Sequence, residues 1–337
     1  MTNIFRGKSI LITGGTGTIG SHLVGSLLEQ DPKVIRIYSR DEYKQYLMQQ
    51  KYDVNPRLRF LLGDVREKQR LQRAMENIDI VFHTAALKHV PACEYNPFEA
   101  VKTNVLGTEN VIECALESNC ERVIYTSSDK SINPTNTMGA TKLLAERLIS
   151  AADYHKGKAR TIFCAVRFGN VMGSRGSVIP LFKEQILQDK CITVTHPDMT
   201  RFMMSIGQAV SLTMSAAEKA QGGEIFILKM PVLRLDDLVD TVIGIVADKY
   251  KIPKSEIRTK YIGLRPGEKM YEELMTRLEA KNAREFDDMF AVQPMTSGCM
   301  HEYEGAKNAE EKDYTSDDYL PLSKDEIKDL ILKEQII

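Results

Sequence analysis

The 337-residue sequence has no tryptophan and little aromatic content, 7% in all. Its six cysteines (Cys93, Cys114, Cys120, Cys164, Cys191 and Cys299) are scattered, with no Cys-x-x-Cys pair. That spacing argues against a disulfide framework or a zinc site and points to a reducing compartment, expected to be the cytoplasm. The six histidines stand apart without a His-x-x-x-His spacing, so no metal is expected. An excess of either charge is also missing: 45 basic against 46 acidic side chains leave a net charge of −1. Such a balance excludes a global pull toward nucleic acid or anionic membranes. No apolar run reaches the roughly 18–20 residues of a membrane helix. The N-terminal Met1–Lys8 leads almost directly into a first strand, so no signal peptide is expected.

What is present is a βαβ rhythm from Lys8 to about Asn170. Short β-branched runs at Ser9–Thr13, Val34–Tyr38, Arg59–Leu62, Ile80–His83, Arg122–Thr126 and Arg160–Val166 alternate with longer helical stretches. The helix after the first run carries Ile19, Leu23, Leu27 and Leu28 at helical spacing. This pattern predicts an α/β fold, a Rossmann-type doubly wound parallel sheet with helices on both faces. After Asn170 the rhythm breaks into loops and helices, among them Ile206–Ala220 and Leu235–Tyr250. The expected division is a dinucleotide-binding domain over 1–172, open to regaining a later strand or helix, and a smaller substrate-binding lobe over 173–337. Residues 296–318 read as a polar surface loop. Ser323-Lys324-Asp325-Glu326 opens a final helix expected to run to Ile337.

The first strand runs into Gly14-Gly15-Thr16-Gly17-Thr18-Ile19-Gly20. Glycines at 14, 17 and 20 permit a sharp turn, close backbone approach to a pyrophosphate and tight packing of helix on strand. The pyrophosphate then sits on a helix N-terminus, so these seven positions predict dinucleotide binding. Twenty residues after Gly20, the second strand ends at Ser39-Arg40-Asp41. An acid there suits NAD, and an arginine suits the 2′-phosphate of NADP. Ser39 and Arg40 favour NADP, and Asp41 keeps NAD open. Asp64, after the third strand, is a candidate to accept the adenine amino group.

The fifth strand leads into Thr126-Ser127-Ser128-Asp129-Lys130 and on to Met138 and Lys142. A short-chain dehydrogenase carries Tyr-x-x-x-Lys at this spacing. Lys142 is present, but methionine occupies position 138, and a thioether cannot exchange a proton as a phenol does. Either the protein does no redox chemistry or another group moves that proton; an ordered water and Asp129 are the candidates, and Thr126 is a further hydrogen-bonding partner. Taken alone, Asp129-Lys130 would read as a surface ion pair.

Several segments together resemble the soluble UDP-N-acetylglucosamine 4,6-dehydratases of flagellin- and capsule-sugar synthesis, within the extended short-chain dehydrogenase/reductases. They are Gly14–Gly20, Ser39–Glu42, Ala85–Pro91, Asn104–Thr108, Ser128–Lys130, Arg167–Val171, Asp198–Phe202 and Arg265–Lys269. Some members of that group also carry methionine in the tyrosine position. The resemblance implies that hydride leaves carbon 4 of the sugar for a nicotinamide and returns to carbon 6 after water is lost. It implies Lys130 as the base at carbon 5, Asp129 as the acid for the departing hydroxyl, Met138 beside the nicotinamide and Lys142 on its ribose. It extends the cofactor contacts to Val65, Ala85, Ala86, Lys88 and Thr126. It also implies a homo-oligomer.

A UDP-sugar needs cations for its diphosphate, and Lys88, Arg201 and Arg265 are the candidates. Asn170 resembles the family's diphosphate or sugar contact. Glu268 is expected on the ribose hydroxyls, and backbone at Thr193 and Thr195 on uracil. Val178, Met199, Asp129 and Lys130 complete the expected substrate set. The leading expectation is therefore dehydration of UDP-N-acetylglucosamine to a 4-keto-6-deoxy sugar, with inversion at carbon 5 left open. Three alternatives stand beside it: loss of water to a 5,6-alkene, epimerisation or reduction of a related UDP-sugar, and a non-catalytic NADP-binding sensor. A paired acid and base favours elimination, because epimerisation needs no acid for a leaving hydroxyl.

Overall fold

A computed structural model describes residues 3–53, 55–294 and 300–337, which leaves Cys299 and the start of the 296–318 segment outside the described residues. The chain forms strands β1 (Ser9–Thr13), β2 (Val34–Ser39), β3 (Leu58–Leu62), β4 (Ile80–His83), β5 (Arg122–Thr126) and β6 (Ile162–Arg167). These follow the expected runs within two residues, as strand ends commonly vary. They continue with β7 (Asn170–Val171), β8 (Cys191–Val194), β9 (Thr200–Met204), β10 (Ile225–Leu228), β11 (Val232–Arg234) and β12 (Arg258–Tyr261). The last are β13 (Glu273–Met275), β14 (Ala283–Glu285), β15 (Met289–Val292), β16 (Lys307–Asn308) and β17 (Tyr314–Thr315).

The main sheet runs β16-β14-β15-β10-β6-β5-β4-β1-β2-β3. From β10 to β3 all neighbours are parallel, and β15, β14 and β16 add antiparallel pairs at one edge. This is the expected doubly wound sheet. Helices cover both faces, so the central strands β1 and β4 are buried at every residue and read as unbroken apolar runs. The strand order reverses between β1 and β4, and the crevice beyond their C-terminal ends is where open α/β sheets take ligands.

The later half of the chain does not stay apart from this sheet. The helix Ile206–Lys219 packs on β5, β6 and β10, and four late strands extend the sheet edge. A second, smaller core gathers Ile186, Val242 and Ile331 from the helices Val178–Asp189, Leu235–Tyr250 and Lys324–Lys333.

Two expectations are corrected. The segment expected as a loop carries β16, paired with β14, and β17, paired with β13. Lys307 and Asn308 are exposed, so no apolar alternation announces that edge strand. The final helix opens with the capping box at Ser323 but ends at Lys333, because Gln335 adopts φ +51° and turns the chain back.

Candidate functional site

The glycine loop joins β1 to the helix Thr18–Leu28. Gly14 has φ +67°, and a Cβ there would lie 2.8 Å from the Ala85 backbone. A Cβ on Gly20 would lie 2.6 Å from the Gly14 carbonyl oxygen. Both positions therefore require the missing side chain. Gly17 caps the helix without a side-chain bond, so its first amides are available to an anion. Beneath the loop, His83 is fully buried between Thr13 and Thr108, at 2.7 Å and 3.1 Å from their hydroxyls. Burial, with help from Lys142, drives its pKa down to about 3, so it braces the loop as a neutral ring.

Gly14, Thr16, Ser39, Arg40, Asp41, Asp64, Val65, Ala85 and Ala86 line one end of the groove above the sheet. Thr18, Ile19, Lys88, Thr126, Met138 and Lys142 line its continuation. These features fit a dinucleotide laid across the switch point. At the end of β2, Ser39 is buried and bonded to Thr16 at 3.1 Å. Asp41 turns into the following helix as its cap, accepting from the Lys44 amide at 2.9 Å and pairing with the Lys44 ammonium. Lys44, not singled out in the sequence, thus stands beside Arg40 in the groove.

Asp64 is engaged in a way the sequence does not reveal. Its carboxylate accepts from Arg66 at 2.7–3.0 Å and from Arg40 at 3.3 Å. Burial pushes its pKa up, but the Arg66 hydrogen bonds outweigh that and hold it below the usual range. It therefore anchors two arginines, which leaves little capacity for an adenine amino group. Arg175, also missed, reaches from a glycine-flanked loop to the Thr16 carbonyl, and its amide donates to Thr18 at 3.3 Å. With Lys88 it puts a second cation over the phosphate loop; burial and this neighbouring charge lower the Lys88 pKa.

At the other end of the groove, Met138 and Lys142 occupy successive turns of the helix Thr137–His155, which Asn136 caps through the Gly139 amide. Met138 is 3% exposed and packs with Cys93 and Ala100. Lys142 donates to the Thr126 carbonyl at 2.8 Å and lies 4.8 Å from the Tyr125 ring centroid. Burial pulls its pKa down to about 8, with Glu146 opposing the shift. Asn104 bonds both backbone groups of Leu87 and the Thr141 hydroxyl, at 2.8–3.0 Å, tying the Ala85–Lys88 segment to this helix.

Where groove and second cavity meet stands Lys130, which lines both. Its ammonium is 3.0 Å from Asp129 Oδ1, 3.3 Å from Glu272 Oε1 and 3.4 Å from Asn170 Oδ1. Burial lowers its pKa, but the two carboxylates outweigh that and hold it above its ordinary value. Lys130 is therefore charged at rest. Asp129 and Lys130 are not a surface pair, because Asp129 is fully buried and lines neither cavity. Its Oδ1 accepts from Ser128 Oγ and from the Lys130 amide and ammonium at 2.8–3.0 Å. Its Oδ2 has no partner among the described residues.

The second cavity holds Asn170, Val178, Thr193, Thr195, Met199, Arg201, Arg265 and Glu268. Arg201 proves to be spent within the protein. Its guanidinium donates to the carbonyls of Thr200, Met270 and Lys269 and faces Glu272 at 3.6 Å, so it clamps the 269–272 segment rather than offering itself to phosphate. Thr193 donates its amide to Gln185 Oε1 at 3.0 Å and its hydroxyl accepts from Gln185 Nε2 at 2.8 Å, so its amide is not open to a base. Arg265 makes no side-chain hydrogen bond or ion pair among the described residues, and its amide donates to Glu268 at 3.2 Å. The helix Val178–Asp189 begins at the cavity without a side-chain cap. Glu272 carries a sequence trace: it lies three residues beyond the Arg265–Lys269 block, in Tyr271-Glu272-Glu273.

Beneath the site, fully buried Arg167 bonds Glu146 at 2.5 Å, Glu279 at 3.0 Å and the Leu274 carbonyl at 2.8 Å. Glu146 in turn accepts from Ser131 at 3.3 Å. This cluster joins the Asp129–Ser131 turn, the Lys142 helix and β13. Among the described residues, no group of three His, Cys, Asp or Glu side chains is gathered for a metal ion. No helix among them is long and apolar enough to cross a membrane.

A family described as polysaccharide biosynthesis protein matches residues 10–294. A Methanocaldococcus jannaschii protein named as an uncharacterized membrane protein is 51% identical over 334 residues, covering 99% of this chain and 98% of that one. A UDP-glucose 4-epimerase of Rickettsia bellii is 41% identical over 338 residues, covering 98% and 96%. The X-ray structure of Pen from Bacillus thuringiensis matches with a TM-score of 0.95 at 50% identity, with 99% of each chain covered.

Proposed function

We propose, from the premise that this chain belongs to the polysaccharide biosynthesis protein family of nucleotide-sugar-modifying extended short-chain dehydrogenase/reductases, that it dehydrates UDP-N-acetylglucosamine. The product would be a UDP-4-keto-6-deoxy-N-acetylhexosamine. The observation that carries this reading is Lys130, held between two buried carboxylates where the cofactor groove opens into the substrate cavity. Elimination of water needs an acid and a base together, and epimerisation does not.

The cofactor is NADP on this reading, and when bound it would supply the hydride acceptor and donor that an internal redox cycle on the sugar requires. Gly14–Gly20 and Arg175 would hold its pyrophosphate, and Arg40 and Lys44, lining the groove at the end of β2, would meet a 2′-phosphate. Lys142 would hold the nicotinamide ribose and place a positive charge at that end of the groove. Met138 excludes water from that wall. Once carbon 4 is a ketone, the proton on carbon 5 is acidified, and Lys130 is the basic nitrogen within the cleft. Because Lys130 is charged at rest, it must first pass a proton to a carboxylate beside it.

Residues 173–337, apart from the strands that return to the sheet, supply the substrate lobe. Arg265 and the uncapped helix start at Val178 suit a diphosphate, and Glu268 suits the ribose hydroxyls. A second reading, 4-epimerisation of a UDP-sugar, draws on the name of the Rickettsia bellii relative. Loss of water to a 5,6-alkene is the near variant of the first. Proton NMR of UDP-N-acetylglucosamine incubated with the protein in deuterated water separates them. A new methyl group with deuterium at carbon 5 supports the dehydratase, and vinyl protons support the alkene. A galacto-configured product without loss of water refutes dehydration in favour of epimerisation. Unchanged substrate with cofactor bound would move the reading to a sensor.

A further inference from the structure

Two carboxylates flank Lys130, and they differ in where they open. Asp129 is fully buried; three donors hold its Oδ1, and its Oδ2 is sealed from the cavity. Glu272 lines the substrate cavity beside Lys130 and Asn170, with its side chain 5% exposed. Its backbone is pinned on both sides, since its amide donates to Ser316 Oγ at 3.0 Å and its carbonyl accepts from the Ser316 amide at 2.8 Å. Arg201, locked by three backbone carbonyls, stands 3.6 Å away and steers the carboxylate toward the cleft.

We propose that Glu272 is a catalytic residue, the acid that protonates the hydroxyl leaving carbon 6, and that Asp129 is the fixed anion that positions Lys130. This rests on the dehydratase reading above. The protons balance within the triad. One proton passes across the 3.3 Å contact from Lys130 Nζ to Glu272 Oε1, leaving an amine and a carboxylic acid. The amine takes the proton from carbon 5, and the C5–H electron pair becomes the C5–C6 double bond. The C6–O6 bond breaks toward oxygen, O6 takes the Glu272 proton, and water departs. Lys130 is then an ammonium and Glu272 a carboxylate, as at rest. Asp129 needs no proton and no path into the cavity.

The test compares wild type, Glu272→Gln and Glu272→Asp with UDP-N-acetylglucosamine in deuterated water, following loss of water and deuterium at carbon 5 of recovered substrate. The expected result for Glu272→Gln is water loss slowed by roughly 100-fold or more, the usual reach of a general acid, with exchange at carbon 5 falling alongside it, because the amide can neither take the Lys130 proton nor deliver one to O6. Glu272→Asp, which keeps an acid, recovers part of the rate. UDP affinity and melting temperature near wild type establish that the variants fold. Water loss within about threefold of wild type in Glu272→Gln would overturn the proposal, because a true general acid contributes far more. A Glu272→Asp variant no faster than Glu272→Gln would overturn it too, since a carboxylic acid at this place would then contribute nothing to the reaction. If wild type itself forms no dehydrated product, the dehydratase reading has failed first, which separates the two failures.

Discussion

Replacing Arg167 by Met tests whether the buried cluster under the site holds the catalytic elements together. The guanidinium is fully buried and bonds both Glu146 and Glu279. Methionine fills much of the volume but removes the ion-pair partner of Glu146 and leaves Glu279 only the longer 3.9 Å contact with Arg147. Removing one partner of a buried ion pair costs on the order of 3–5 kcal/mol. For a chain this long, that corresponds to a fall in Tm of roughly 4–7 °C. Acidification adds a second, signed test. Burial pushes the Glu279 pKa up, but Arg167 outweighs it and holds the group below its ordinary 4.5. In wild type this contributes stability above the unfolded pKa that is lost as pH falls through the folded pKa. In the variant, Glu279 loses the cation that opposed its burial, so its protonated form is favoured as pH falls, which relieves part of the defect. The wild-type advantage should therefore be larger at pH 7.5 than near pH 5. Thermal unfolding by circular dichroism at both values measures it. A fall in Tm below about 2 °C at pH 7.5, or an advantage that grows on acidification, would refute the reasoning.

Arg40→Ala and Lys44→Ala should each weaken NADP binding about tenfold and leave NAD nearly unchanged, since one charge-assisted bond is lost; titration calorimetry reads this, and equal losses for both dinucleotides would remove the 2′-phosphate assignment. The Lys142 pKa, lowered by burial from 10.5 to about 8, means that between these values the unfolded chain binds a proton that the folded chain does not. Stability from this group therefore rises with pH across that window. The stability of wild type relative to Lys142→Met should increase from pH 7.5 to 9.5 in denaturant titrations, and a flat difference would contradict it. Met138→Leu should keep activity within about twofold, because the side chain is buried among apolar neighbours and the swap conserves volume. A loss beyond tenfold in a product assay would show that the sulfur takes part.

Much of this architecture is written locally. The run Ser9–Thr13 followed by glycines at 14, 17 and 20 announces strand, turn and helix, because each step depends on backbone freedom and apolar spacing within a dozen residues. The same holds for the helix Leu235–Tyr250 and for the capping box at Ser323. The polar strand β16 was not legible, since its pairing with β14 depends on an edge that no side-chain pattern marks.

The chemistry divides in the same way. Asp129, Lys130, Met138 and Lys142 stand close together in the chain, and their spacing and resemblance to the dehydratase motif are what nominate them as the reacting groups. Distance in the chain hid the partners that set their behaviour. Glu272 reaches Lys130 across 142 positions, and Glu279 reaches Arg167 across 112. Burial, too, is a property of the assembled fold. It sealed Asp129 from the cavity, spent Arg201 on backbone carbonyls, turned Asp64 into an anchor for two arginines and lowered the Lys142 pKa. Residue type and spacing state which groups are available. Which of them face the cleft, and with what charge, follows from packing that brings distant segments within a hydrogen bond of one another and removes them from water.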